Sequence, residues 1–295
     1  MSSEPMKRCR NAISEFNALA LGLALALASL SPVSVKADTG DDELNKFVRI
    51  LHQGVARYGV LSLGQVRLLD KSFFGDDPKY TGEVVPLEGA KLLAPVEPSK
   101  VIAVALNYPN PRALKDGEIG LFSKLPSSII ATGEKIVPPP GSKALHYEGE
   151  MVLVIAEQAR NISEAEVAEH IFGVTVGNDV SERSIGTNLL NIIRGKGSDT
   201  FGPLGPWVVR GLDYNDLELT TTLNGKVVQR ARTSKMLNSV SRMVSYISRY
   251  ITLEPGDVIY TGTPGRTQPM KPGDVVEVTL EGVGTLRNTV DEPAE

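Results

Sequence analysis

The stretch His-Tyr-Glu-Gly-Glu-Met-Val-Leu-Val-Ile, residues 146–155, constrains the fold more than any other part of this chain. From Met151 onward every position is apolar, the signature of a strand buried on both faces rather than one. Such a strand needs a layer packed on each side. Alternation points Glu148 and Glu150 to the same side at the mouth of this strand. Two neighbouring carboxylates there repel each other and lose solvation, and a bound cation is the simplest compensation. For Glu-Gly-Glu taken alone, a solvated strand end is the alternative.

Two other stretches place polar groups beside apolar runs. Asp179 ends the run 172–180, and Lys196 and Asp199 lie in 195–206. Three of these carboxylates, as oxygen ligands, suit a hard cation, Mg²⁺ or Mn²⁺.

The rest of the chain reads as β-rich. Residues 46–96 carry short β-like runs and end at Pro95 and Pro98, giving a small N-terminal β domain, 38–98, ahead of a larger domain, 99–295. Asn224-Gly225 predicts a hairpin turn. Ser163 with Glu166 predicts a short capped helix. Met236, Leu237, Val240, Met243, Val244 and Ile247 fall at helical spacing and predict a helix packed on a sheet.

The first 37 residues differ in kind. Lys7, Arg8 and Arg10 precede an apolar run from about Ala18 to Leu30, which ends in Val35-Lys36-Ala37. This is the layout of a secretory signal peptide cleaved after Ala37, with a run too short to span a membrane comfortably; an uncleaved anchor or an organelle transit peptide is the alternative, and Glu4 and Glu15 fit a transit peptide poorly. The expectation is a secreted or periplasmic protein with no stable membrane anchor after cleavage. Cys9, the one cysteine, leaves with the leader, so disulfides and cysteine catalysis are excluded from the mature chain. A net charge of −4 and 5% aromatic residues leave no footprint for nucleic acid.

Eight segments occur in order: 106–108 (LNY), 122–128 (FSKLPSS), 147–150 (YEGE), 178–183 (NDVSER), 195–207 (GKGSDTFGPLGPW), 223–229 (LNGKVVQ), 253–265 (LEPGDVIYTGTPG) and 271–278 (KPGDVVEV). Together they resemble the fumarylacetoacetate hydrolase superfamily, in particular its branch of 2-hydroxyhepta-2,4-diene-1,7-dioate isomerases. The resemblance implies a mixed α+β, mainly β fold with a β-sandwich or β-roll core, and commonly a homodimer. It implies a divalent ion held by Glu148, Glu150 and Asp179, and a small 2-oxo acid or enol dicarboxylate as substrate. The ion would stabilise an enolate formed on C–C cleavage, decarboxylation or double-bond migration.

The same match assigns further positions. Lys196 lies near the metal as an electrostatic or proton-transfer group, or else as a salt bridge to the ligand carboxylates. Arg183 pairs with a substrate carboxylate, or internally with Asp179 or Glu182. Thr263 donates its hydroxyl or N–H to the substrate, or only marks a turn. Gln229 reaches the pocket, or lies on the surface of a strand. Lys124 stands at the pocket entrance. His146 takes a supporting role, because the ligand set implied is all carboxylate. Hydrolytic relatives carry a His and, one turn later, a Glu in the lid after the Asn-Tyr pair. Here Pro111 and Leu114 stand at those places, with Asp116 and Glu118 as possible replacements, and Ser184 stands where many relatives carry Asp. The absent water-activating pair favours isomerisation over hydrolysis. A replacement base, or a binding protein without turnover, are the other two readings.

Overall fold

A computed structural model of the chain describes residues 45–110, 114, 118–185 and 190–294. The expected leader, Pro111 and Asp116 lie outside the described residues. Among the described residues no helix is long and apolar enough to cross a membrane.

The described residues are mainly β, with two large sheets, a two-stranded ribbon of Leu145–His146 with Ser181–Glu182, and one substantial helix. The strand Gly149–Ile155 lies near the middle of the longer sheet, antiparallel to Ile171–Asn178 on one side and to Val258–Tyr260 on the other. Its two faces are both covered, as its sequence demanded. Met151, Leu153 and Ile155 enter one core with Leu219, Val278 and Leu280, which belong to the shorter sheet. Val152 and Val154 enter a second core with Val101, Ala103, Phe172 and Val208. Burying each such side chain contributes roughly 1.5–3 kcal/mol.

The longer sheet continues outward through Gly202–Arg210 to Asn45–His52, Val55–Ser62, Gln65–Leu69 and Tyr80–Pro86, and in the other direction to Val101–Ala105 and Gly120–Lys124. The N-terminal strands join it through Asn45↔Arg210, Lys46↔Val209 and Phe47↔Val208. They also carry a core of their own, built on Val48, Ile50, Leu61, Val66 and Leu68. The shorter sheet runs Lys226–Arg232, Glu218–Leu223, Val275–Leu280, Gly284–Val290 and Lys135–Ile136. Its hairpin turns at Asn224 and Gly225, with φ of 51° and 77°, the left-handed pair that such a two-residue turn requires.

The helix Val240–Tyr250 buries Val240, Met243, Val244 and Ile247 against the core between the sheets. Ser239 caps it by accepting from the Arg242 N–H at 3.2 Å. Met236 and Leu237 precede the helix, beyond a short 3-10 turn, Thr233–Lys235. Glu166 does accept from Ser163 N and Oγ, both at 2.7 Å, but a 3-10 turn, Val167–His170, follows instead of an α-helix. The strand that begins at Ile171 leaves no length for more. Asn107 fastens this end of the fold: its Nδ2 donates to Thr261 O at 2.8 Å, and its Oδ1 accepts from Asn238 N at 2.9 Å.

Candidate active site

The mouth of the Gly149–Ile155 strand gathers three buried carboxylates. Glu148, Glu150 and Asp179 are 8%, 2% and 1% exposed, and each offers an oxygen within 4.8 Å of the others. Register explains the meeting. Gly149 pairs with Asn178 and Glu150 with Gly177, so Asp179 falls beside Glu148, and its N–H donates to Glu148 O at 2.8 Å. Asn178 Oδ1 accepts from the Glu148 N–H at 2.8 Å and steadies the same corner.

The glycine between the two glutamates is required by the shorter sheet. A Cβ at position 149 would lie 2.1 Å from Thr221 Oγ1 and 2.9 Å from a Val278 methyl. Gly149→Ala is therefore expected to lower stability by about 1–3 kcal/mol through overpacking. Urea unfolding checks this, and a midpoint equal to the wild type would contradict it.

Cations line the carboxylates. Lys196 Nζ, on the short helix Ile192–Lys196, donates to Glu148 Oε2 at 2.8 Å and to Asp179 Oδ2 at 2.6 Å. It lies 5.1 Å from the centroid of the Phe122 ring. Both sequence readings of Lys196, near the ligand set and bridging it, describe this one position. Arg183 Nη2 donates to Glu148 Oε1 at 2.8 Å, so its internal partner is neither Asp179 nor Glu182. Its side chain is 41% exposed and borders solvent. Glu182 instead accepts from Ala144 N, Ser142 Oγ, and Ser184 N and Oγ.

Lys124 is not at a pocket entrance. It ends the strand Gly120–Lys124 pointing inward, is fully buried, and its Nζ donates to Asp179 Oδ1 at 2.6 Å. The lone lysine gave no sign of this, because only the pairing of the sheet turns it inward. Gln229 is buried rather than on the surface. Its Nε2 donates to Thr263 Oγ1 and Pro264 O, and its Oε1 accepts from Gly149 N at 3.2 Å. The Thr263 hydroxyl donates to Gly149 O at 2.9 Å, so its one proton serves the strand end. His146 stands aside, with Nδ1 and Thr267 Oγ1 2.9 Å apart, and Asp199 is exposed.

Three contributors carried no distinct signal in the sequence. Ser181 Oγ donates to Glu148 Oε1 at 3.0 Å. The Gly262 N–H donates to Glu150 Oε2 at 2.7 Å, and a side chain at 262 would strike Asn107 Cβ at 2.8 Å. Tyr108 is 3% exposed, and its buried hydroxyl finds no hydrogen-bond partner among the described residues. Burial, with Glu150 nearby, pushes its phenol up.

The electrostatics separate the three acids. Burial works against a charged Asp179, but Lys124 and Lys196 outweigh it and hold its carboxyl below the usual range. Burial likewise opposes the Lys196 ammonium, yet Asp179 and Glu148 raise it above the ordinary lysine value. Burial pushes Lys124 down against the pull of Asp179. Glu150 lies well above the carboxylate range, from burial first and then from Asp179 and Glu148. Among the described residues Glu150 has no ion-pair partner, and its hydrogen bond comes from one backbone N–H, that of Gly262. A hard divalent cation fits this donor set: three carboxylate oxygens converge, and the least compensated acid is one of them.

A buried acidic triad at the strand mouths of a mainly β sandwich defines a class. The fumarylacetoacetate (FAA) hydrolase C-terminal family matches residues 100–291, and the Rv2993c-like N-terminal family matches residues 45–95. The chain belongs to the fumarylacetoacetate hydrolase family, whose members are isomerases, tautomerases or hydrolases. It is similar to protein Rv2993c of Mycobacterium tuberculosis, 41% identical over 220 residues that cover 72% of this chain and 83% of that protein. It is 36% identical over 225 residues to the mitochondrial oxaloacetate tautomerase Fahd2a of Rattus norvegicus, covering 70% of this chain and 71% of that one. Its structure is similar to the crystal structure of 2-hydroxyhepta-2,4-diene-1,7-dioate isomerase from Mycobacterium marinum. The TM-score is 0.80 at 37% identity, covering 85% of this chain and 100% of that one.

Proposed function

We propose that this enzyme is a divalent-metal-dependent isomerase of tautomerase type, which moves a proton between carbon and oxygen in a 2-oxo acid. The observation that carries the reading is the buried triad Glu148, Glu150 and Asp179 with Lys196 bridging two of its members. Mg²⁺ or Mn²⁺ held by these three residues supplies Lewis-acid stabilisation of negative charge on the substrate oxygen.

The chain's own residues do the rest. Lys196, kept charged by Asp179 and Glu148, presents a fixed N–H donor next to the oxygen on which charge develops. Arg183 uses one Nη2 bond on Glu148 and is partly exposed, so its remaining donors suit an incoming carboxylate. The relatives named for tautomerisation and isomerisation support proton transfer as the chemistry. Leu114, at a place where hydrolytic relatives carry the water-activating Glu, has no group to accept a proton, which supports isomerisation over hydrolysis.

The test is Mg²⁺-dependent exchange of the C3 protons of oxaloacetate in D₂O, run beside an acylpyruvate cleavage assay. Exchange without cleavage is expected. Brisk cleavage would replace the isomerase with a hydrolase whose base lies elsewhere. Neither reaction, with metal bound, would leave a binding protein.

A further inference from the structure

The acidic triad has a front and a back. Asp179 Oδ1 is held by Lys124 Nζ at 2.6 Å, Glu148 Oε1 by Ser181 Oγ and Arg183 Nη2 at 3.0 and 2.8 Å, and Glu150 Oε2 by the Gly262 N–H at 2.7 Å. Each carboxylate thus has one oxygen fastened to a donor other than Lys196. Of the opposite oxygens, Glu148 Oε2 and Asp179 Oδ2 converge on Lys196 Nζ.

Lys124 is the firmest of these fastenings. Its ammonium carries three N–H groups and meets three acceptors: Asp179 Oδ1, Val180 O at 3.4 Å, and Lys196 O. They come from the loop after Ile171–Asn178 and from the helix that bears Lys196. With its side chain fully buried and its donors engaged, Lys124 has no route to a substrate. Its effect must pass through Asp179.

A carboxylate whose second oxygen is bonded from behind grips a cation with one oxygen. That distinction separates hard cations. Ca²⁺ takes about 6–8 oxygen ligands at roughly 2.3–2.6 Å and accepts two-oxygen grips readily, whereas Mg²⁺ demands an octahedron at about 2.0–2.1 Å and keeps waters. Three one-oxygen carboxylates supply half an octahedron and leave Ca²⁺ short of ligands.

We propose that Lys124 is a metal-selectivity residue: it occupies Asp179 Oδ1 from behind, confines Asp179 to a one-oxygen grip, and so favours Mg²⁺ or Mn²⁺ over Ca²⁺. The inference rests on the metal site of the proposed function. Removing Lys124 frees Oδ1 for a two-oxygen grip, and the larger cation gains most. The ratio of the two affinities reports this separately from any general weakening by lost charge or lost stability.

Calorimetric titration of the full chain with MgCl₂ and CaCl₂ tests it. Lys124→Met is expected to shift the Ca²⁺-to-Mg²⁺ affinity ratio about tenfold toward Ca²⁺, a difference of roughly 1.4 kcal/mol. A ratio equal to that of the wild type, whatever happens to the separate affinities, would overturn the proposal. If Lys124→Met does not fold, the double variant Ser181→Ala, Arg183→Ala frees Glu148 Oε1 at a partly exposed place, and the same direction of shift is expected. An unchanged ratio there would overturn the proposal as well. Wild type that binds neither ion would overturn the metal-dependent function together with this inference, whereas a bound but unselective wild type overturns the inference alone.

Discussion

Lys196→Met is expected to leave Mg²⁺ binding in place while slowing proton exchange at C3 of oxaloacetate by roughly 10²–10⁴-fold, the usual contribution of a positioned proton-transfer group. Methionine fills a similar volume and keeps an apolar stem against Phe122, but it presents no donor to the substrate oxygen. The three carboxylates remain, and losing one adjacent positive charge does not weaken their attraction for a dication. Calorimetry and NMR exchange read the two properties on one sample. Exchange at the wild-type rate would remove Lys196 from the chemistry. Loss of metal binding would make it a support for Glu148 and Asp179 instead.

Glu148→Gln is expected to show the opposite pattern. Mg²⁺ affinity should fall by about 100-fold or more, beyond the 10–100-fold typical of partners that merely orient a ligand. An amide is neutral and offers one acceptor oxygen. At position 148 it also has to face Lys196 on one side and Ser181 with Arg183 on the other, all of them donors. Its NH₂ group necessarily meets a donor. Activity should disappear with the metal and return only in part at high Mg²⁺. Wild-type affinity in a titration would show that the ion is held elsewhere.

The parts of this site that the sequence displayed were those written into neighbouring residues. The apolar run after Glu150 signals two-sided burial without any structure. Glu-Gly-Glu is conspicuous because two acids at a buried strand mouth are costly. Asp179 and Lys196 emerge by the same reasoning, each next to an apolar run or a glycine-rich turn. Lys124, Gln229 and Thr263 were visible as polar residues in ordered segments, but their partners lie far along the chain. Lys124 reaches Asp179 across 55 positions and Gln229 reaches Gly149 across 80. No local periodicity encodes such a contact.

By itself, then, the sequence determined a mainly β fold around one doubly buried strand, a hairpin at Asn224-Gly225, and a costly pair of acids, Glu148 and Glu150, at a buried strand mouth. These follow from local rules: alternation, turn stereochemistry and the cost of burying charge. Tertiary structure alone decided which donors hold each oxygen of Glu148 and Asp179, and that Lys124 is buried against Asp179 rather than at the entrance. It decided that the N-terminal strands extend the central sheet through Gly202–Arg210. It also decided that Gly149 is fixed by Thr221 of the opposing sheet. The physical reason is the same in each case: hydrogen-bond direction and steric exclusion act between atoms brought together by register and sheet packing, and those are set by the whole chain.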